Sequence, residues 1–206
     1  MTPGEFMVTA GVTDAVIRDL EILRDLVLSW NDRINLVGPS FQLDFWRRHA
    51  LDSAQLFHVE QQAVRWADVG AGAGFPGVVL AILLKARPAA EVHLVESLGK
   101  RVRFLETVCR EIDVPVVIHH DRAENLRPAP VVDIVTARAC APLVKLFGYT
   151  QGFFKQGARG LFLKGKAAEQ EVREAGRSWS FVSDLLPSRS DPEGRMVRIS
   201  KLAFRG

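Results

Sequence analysis

A glycine run stands between an apolar segment and a helix-like one: Asp68-Val69-Gly70-Ala71-Gly72-Ala73-Gly74-Phe75-Pro76-Gly77. The segment before it, 64–69, reads as a strand. Four glycines from Gly70 to Gly77 let the backbone approach a ligand closely, and Pro76 suits the first turn of the helix that follows. Gly72, Gly74 and Gly77 satisfy the GxGxxG spacing, and Glu96, 24 residues beyond Gly72, ends the next predicted strand. A carboxylate there is expected to hold ribose hydroxyls, so the loop is predicted to cradle a cofactor.

Around that loop the pattern alternates. Strands are predicted over 64–69, 91–96, 114–119, 131–136, 160–164, 180–186 and 195–203, with helices over 77–86, 99–112, 141–154 and 167–176. Such alternation means an α/β fold, a mostly parallel seven-stranded sheet with helices on both faces. The last two strands have no helix between them and are joined by Pro187 to Gly194, which predicts an antiparallel C-terminal hairpin. Upstream, Val16, Leu20, Leu23, Val27 and Trp30 recur at spacings of 4, 3, 4 and 3, a helical stripe that Thr13 can cap. Phe41, Phe45, Trp46, Leu56 and Phe57 mark a second helix after the Gly38-Pro39-Ser40 turn. Residues 1–60 are thus expected to form an N-terminal helical extension packed on a main domain of residues 61–206.

Composition excludes disorder: 48% of the 206 residues are hydrophobic and 25% charged. The net charge of +3 is less informative than its division. Residues 1–60 hold 5 Lys and Arg against 9 Asp and Glu, and the remainder 22 against 15. Cys109 and Cys140 lack CxxC or Cys/His company, so no metal is expected, and both read as buried thiols of a reducing compartment. The longest apolar run, Phe75 to Leu84, falls well below the roughly 20 residues a membrane span needs. A cytoplasmic, monomeric protein is expected.

Two cofactor classes compete for the loop. A dinucleotide needs the helix N-terminus for its pyrophosphate. S-adenosylmethionine (SAM) has no phosphate and carries ammonium and sulfonium charges, which an acid at the strand end, Asp68, favours. The long stretch ahead of the loop and the antiparallel finish lean toward SAM.

The residues also resemble a known family. Trp30-Asn31, Ile34-Asn35-Leu36, Arg48-His49-Ala50-Leu51-Asp52-Ser53, the glycine loop and Glu96-Ser97-Leu98-Gly99-Lys100-Arg101-Val102-Arg103-Phe104-Leu105 carry the likeness. Ala123-Glu124, Ala137-Arg138-Ala139 and Leu163-Lys164-Gly165 extend it. The chain is similar to the bacterial 16S rRNA (guanine-N7)-methyltransferases, also called the glucose-inhibited division protein B family. It departs from the pattern at Val37, where a Thr is common.

The resemblance implies a class I SAM-dependent, Rossmann-like methyltransferase acting on guanosine 527 in the 530 loop of 16S rRNA, free or in the 30S subunit. It places SAM contacts on Gly70, Phe75, Ala123, Glu124 and Arg138. The residues add Asp68, Gly72, Gly74 and Glu96. Guanine N7 carries no proton, so in-line transfer needs no general base. Arg138 and Lys164 are expected to act by positioning, holding phosphate, the O6 edge or the SAM carboxylate. Lys100, Arg101, Arg103, Lys164 and Lys166 are candidates for RNA phosphate, with Lys155 and Arg159 beside the same strand as Lys164. His49 is expected to pin helices to the sheet, His119-His120 to lie near the site, and the four tryptophans to fill the core. Rival readings are an NAD-dependent oxidoreductase and a non-enzymatic ribosome-assembly factor.

Overall fold

A parallel strand covered on both faces must be apolar nearly throughout, and β1 (Arg65–Val69) buries every residue after Arg65. The computed structural model describes residues 1–206. The other strands are β2 (Glu91–Val95), β3 (Val116–His119), β4 (Ile134–Arg138), β5 (Arg159–Lys164), β6 (Trp179–Pro187) and β7 (Arg195–Phe204). They form one sheet in the order β3-β2-β1-β4-β5-β7-β6. All pairings among β1 to β5 are parallel, whereas β7 runs antiparallel to both β5 and β6. The expected hairpin is present, with β7 inserted between β5 and β6 and β6 at the edge. The chain runs outward from β1 to β3 and then returns to lay β4 beside β1. The carboxyl ends of β1 and β4 therefore flank the reversal of strand order, where open α/β sheets bind ligands.

Helices α1 (Pro3–Ala10), α2 (Asp14–Ile34), α3 (Phe41–Asp44) and α4 (Asp52–Val59) precede the sheet, and α5 (Gly77–Leu84), α6 (Gly99–Ile112), α7 (Leu143–Lys155) and α8 (Ala168–Ala175) connect its strands. Helix α5 buries seven of its eight residues because the N-terminal helices cover the side turned away from the sheet. That accounts for the long apolar run. Phe6, Leu20, Leu23, Phe45 and Leu56 share a single 33-residue hydrophobic cluster with Trp66, Leu80 and Leu94. No helix is long and apolar enough to cross a membrane.

Several boundaries differ from expectation. Helix α1 is signalled by Thr2 and Glu5, which form a capping box: the Thr2 hydroxyl accepts the Glu5 amide and the Glu5 carboxylate accepts the Thr2 amide. Thr13 stands at the α2 N-cap without a side-chain cap bond. Between α3 and α4 the chain winds as a π-helix over Phe45–Leu51, so the predicted second helix is interrupted. Pro76 precedes α5 rather than entering its first turn. Arg138 is the last residue of β4, and the turn begins at Ala139, whose φ is 50°.

Candidate active site

The glycine loop is built from both ends. Gly70, Gly72 and Gly74 adopt φ of 76°, 55° and 88°, a region that side chains rarely enter. A Cβ on Gly70 would stand 2.9 Å from the Cys140 sulfur, and one on Gly74 2.7 Å from a Val78 methyl. Glu96, just beyond β2, braces the loop: Oε2 accepts the Gly72 amide at 3.0 Å and Oε1 the Leu98 amide at 2.8 Å. Asp68 does not face open solvent. It is fully buried, and Oδ2 accepts the Gly77 amide at 2.8 Å, tying β1 to the start of α5. Burial pushes its carboxyl up to about 7, against the lowering effects of the Gly77 bond and the Arg138 charge. Its Oδ1 has no hydrogen-bond partner.

Two clefts open at the carboxyl edge of the sheet. The smaller, about 140 Å³, is lined by Gly70, Glu96, Ala123, Glu124, Cys140 and Tyr149. The larger, about 920 Å³, is lined by Arg48, His49, Asp52, Arg138, Lys164 and Arg195, among others, and also reaches Cys140. The structure thus brings Gly70, Glu96, Ala123 and Glu124 into one wall, although only the sheet joins them. Cys140 is exposed at the shared edge of both clefts, which corrects the reading of both cysteines as buried; Cys109 alone is. Sequence reasoning missed Cys140 because its small-residue surroundings resemble a core position.

Other expected contacts fall elsewhere. Phe75 is 5% exposed and sits among Phe41, Phe45 and His49 under the Arg138 guanidinium, outside the small cleft. Gly74 faces Val78 and Leu23, so it serves packing. Arg138 is turned toward the N-terminal helices. One guanidinium nitrogen donates to the Arg48 carbonyl at 2.6 Å and stands 3.4 Å from Asp52 Oδ2; the other lies 2.8 Å from His49 Nδ1. Burial, then the Arg138 and Arg48 charges, drive the His49 pKa down to about 3, so its ring is neutral and pins the π-helix to β4.

The cations divide into paired and free. Lys164, expected to act by positioning or on RNA phosphate, pairs with Glu171 at 2.8 Å and donates to the Ala141 carbonyl at the edge of the large cleft. Arg159 starts β5 and pairs with Glu60 at 2.7 Å, at the opposite end of the strand from Lys164. Arg101 lies 3.9 Å from Glu96. Lys100, Arg103 and Lys166 are exposed, without a carboxylate partner, and Lys100 and Arg103 project from the first turns of α6 beside Glu96. His119 accepts or donates toward His93 at 2.9 Å, and His93 meets Glu91 at 2.7 Å, so this pair lies along β2 and β3.

The residues fit SAM. A Cβ on Gly72 would meet only the Gly70 carbonyl oxygen, at 3.6 Å, Glu96 presents a carboxylate beside the Gly70 turn, and Ala123-Glu124 close the same cleft. A parallel sheet interrupted by one antiparallel strand, with a glycine loop after β1 and an acid after β2, defines a class I SAM-dependent methyltransferase. Solved structures share the fold. The SAH-bound methyltransferase PaMTH1 of Podospora anserina has a TM-score of 0.61 at 13% identity, over 92% of this chain and 88% of that one. A SAM-dependent O-methyltransferase of Thermotoga maritima gives 0.56 at 16% identity, over 89% and 72%.

Sequence similarity narrows the class further. The family model for rRNA small subunit methyltransferase G (GidB) matches residues 16–188. Ribosomal RNA small subunit methyltransferase G of Caulobacter vibrioides is 54% identical over 198 residues, 96% of this chain and 91% of the relative. The protein of the same description from Paramagnetospirillum magneticum is 40% identical over 204 residues, 98% and 97% of the two chains. The chain belongs to the rRNA small subunit methyltransferase G family. Membership overturns the NAD-dependent oxidoreductase and non-enzymatic alternatives.

Proposed function

We infer that this protein transfers the methyl group of SAM to N7 of guanosine 527 in the 530 loop of 16S rRNA. The observation that carries this reading is the junction of two clefts at Cys140, one walled by Gly70 and Glu96 and one open and polar, in a chain of this family. Bound in the smaller cleft, SAM supplies an electrophilic sulfonium methyl. Glu96 would hold the ribose hydroxyls and Ala123-Glu124 the adenine, while the larger cleft takes the extruded base.

The chemistry asks little of the protein beyond placement. N7 presents a lone pair and no proton, so no side chain need act as general base. Orienting the two reactants can supply up to about 7–11 kcal/mol of the barrier. Positive charge moves from sulfur onto the purine, so an unpaired cation against the ring would oppose transfer. In the large cleft Arg48, Arg138 and Lys164 each have a carboxylate within 3.4 Å, from Asp191, Asp52 and Glu171, while Arg195 is held by the Pro192 and Gly194 carbonyls. Phosphate contact falls to the free cations Lys100, Arg103 and Lys166 on the surrounding surface.

The test incubates the protein with labelled SAM and either naked 16S rRNA or 30S subunits, then maps 7-methylguanosine. Label at guanosine 527 is expected on one of the two. Transfer to neither, or to another atom or nucleotide, rejects the assignment.

A further inference from the structure

A single part-buried polar network joins three parts of the chain that lie far apart in sequence: the residues around Asp52, the end of β4 and the loop between β6 and β7. At its centre is Asp52, the first residue of α4, whose side chain is 17% exposed. Its Oδ1 accepts the Ser190 hydroxyl at 2.6 Å and the Gln55 amide nitrogen at 2.9 Å. Its Oδ2 stands 3.4 Å from Arg138 and is the one carboxylate oxygen within ion-pair distance of that guanidinium. The loop between β6 and β7 is held by further bonds to the same helical segment: Gln55 Oε1 accepts the Arg189 amide at 2.8 Å, and Arg47 donates to the Ser190 carbonyl at 3.1 Å. Ser190 and Gln55 are 4% and 0% exposed, so their ends of these bonds are shielded from water, and leaving either unpaired is costly.

The network is not needed to dock the N-terminal helices. Phe6, Leu20, Leu23, Phe45 and Leu56 already bury themselves against α5 and the sheet. What the network fixes is the larger cleft, since Asp52, Arg138, Ser188, Ser190 and Asp191 all line it.

We propose that Asp52 is a positioning residue for methyl transfer: one carboxylate sets and neutralises the Arg138 guanidinium at the end of β4 while latching the β6–β7 loop as the opposite wall of the substrate cleft. The inference rests on the rRNA methylation reading. Its two oxygens do separable work. Oδ2 offsets a cation that lines the cleft in which the base gains positive charge, an effect on the chemical step. Oδ1 holds a wall of the cleft, an effect on substrate capture.

The experiment compares Asp52→Asn and Ser190→Ala in the full-length protein, with steady-state kinetics on the RNA substrate at saturating SAM. SAM-binding stoichiometry by calorimetry normalises every rate to folded, cofactor-competent protein, so loss of folded molecules does not register as a change in kcat. Asp52→Asn keeps an acceptor for Ser190 and removes the charge; kcat is expected to fall at least tenfold, by more than KM for RNA changes. Ser190→Ala removes the loop's hydroxyl bond to Asp52 while the Asp52–Arg138 contact and the loop's backbone bonds to Gln55 and Arg47 stay in place, and is expected to raise KM more than it lowers kcat. Normalised kcat equal to wild type in Asp52→Asn, or the same kcat and KM pattern in both variants, overturns the proposal. Failure of the underlying reading is distinct, because the wild type itself would then methylate no RNA.

Discussion

Glu96 Oε2 accepts the Gly72 amide at 3.0 Å, so the acid that follows β2 holds the shape of the loop that follows β1. The residue expected to bind the cofactor therefore also builds its cradle.

Glu96→Ala leaves the Gly72 and Leu98 amides without their acceptor. An unmade buried bond costs about 1–3 kcal/mol, and the loop loses its set geometry as well. Calorimetry is expected to register at least a tenfold weaker SAM affinity. An unchanged affinity would show that neither the brace nor the ribose contact exists.

Burial raises the Asp68 carboxyl from its ordinary 3.8 to about 7. Below the lower value the folded and unfolded chains are both protonated, and this group takes nothing from stability. As pH rises through the window between the two values the unfolded chain ionises freely while the folded one resists, so stability is lost across it. Asp68→Asn retains an acceptor for the Gly77 amide and removes the titration. Urea midpoints measured from about pH 4 to about pH 8 are expected to fall less in the variant; parallel curves would contradict the assignment.

Lys100 and Arg103 are exposed without carboxylate partners, whereas Arg101 lies beside Glu96. Replacing Lys100 and Arg103 with Glu is expected to weaken RNA binding at least tenfold and to reduce the salt slope by about 1.4–1.8, two phosphate contacts' worth. SAM affinity should stay as it is. Filter binding across a salt series checks this, and an unaltered slope would remove both residues from the RNA face.

The two thiols should differ in reactivity. Burial pushes Cys109 up to about 12, while Cys140, also raised by burial and by the nearby Asp68 carboxylate, remains exposed at the meeting of the two clefts. Thiolate is the reacting species, so access decides between them. Peptide mass mapping after brief alkylation should find Cys140 modified first, with SAM slowing it. Preferential labelling of Cys109 would contradict the geometry.

The strand and helix sequence was legible because period and punctuation are local. Helix α6 follows from Val102, Leu105, Val108, Cys109 and Ile112 on one face, and its bounds of Gly99–Ile112 agree with expectation. Helix α1 was equally local: its Thr2 and Glu5 capping box could have been found from residue spacing alone. The site was legible in part, since Gly70, Glu96, Ala123 and Glu124 each follow a strand whose position could be predicted. What spacing could not supply was partnership. Nothing local to Lys164 or Arg138 names Glu171, Asp52 or His49 as the groups beside them.

The alternating α/β order, the glycine loop with its distant acid and a resemblance over most of the chain are all readable along the chain. Which charges remain available is settled only on folding. Pairing depends on distances across strands and helices far apart in the chain, as when Asp52 meets both Ser190 and Arg138. The mild net charge of +3 carries none of that: a cation's reach to RNA is set by whether a carboxylate from another element already holds it.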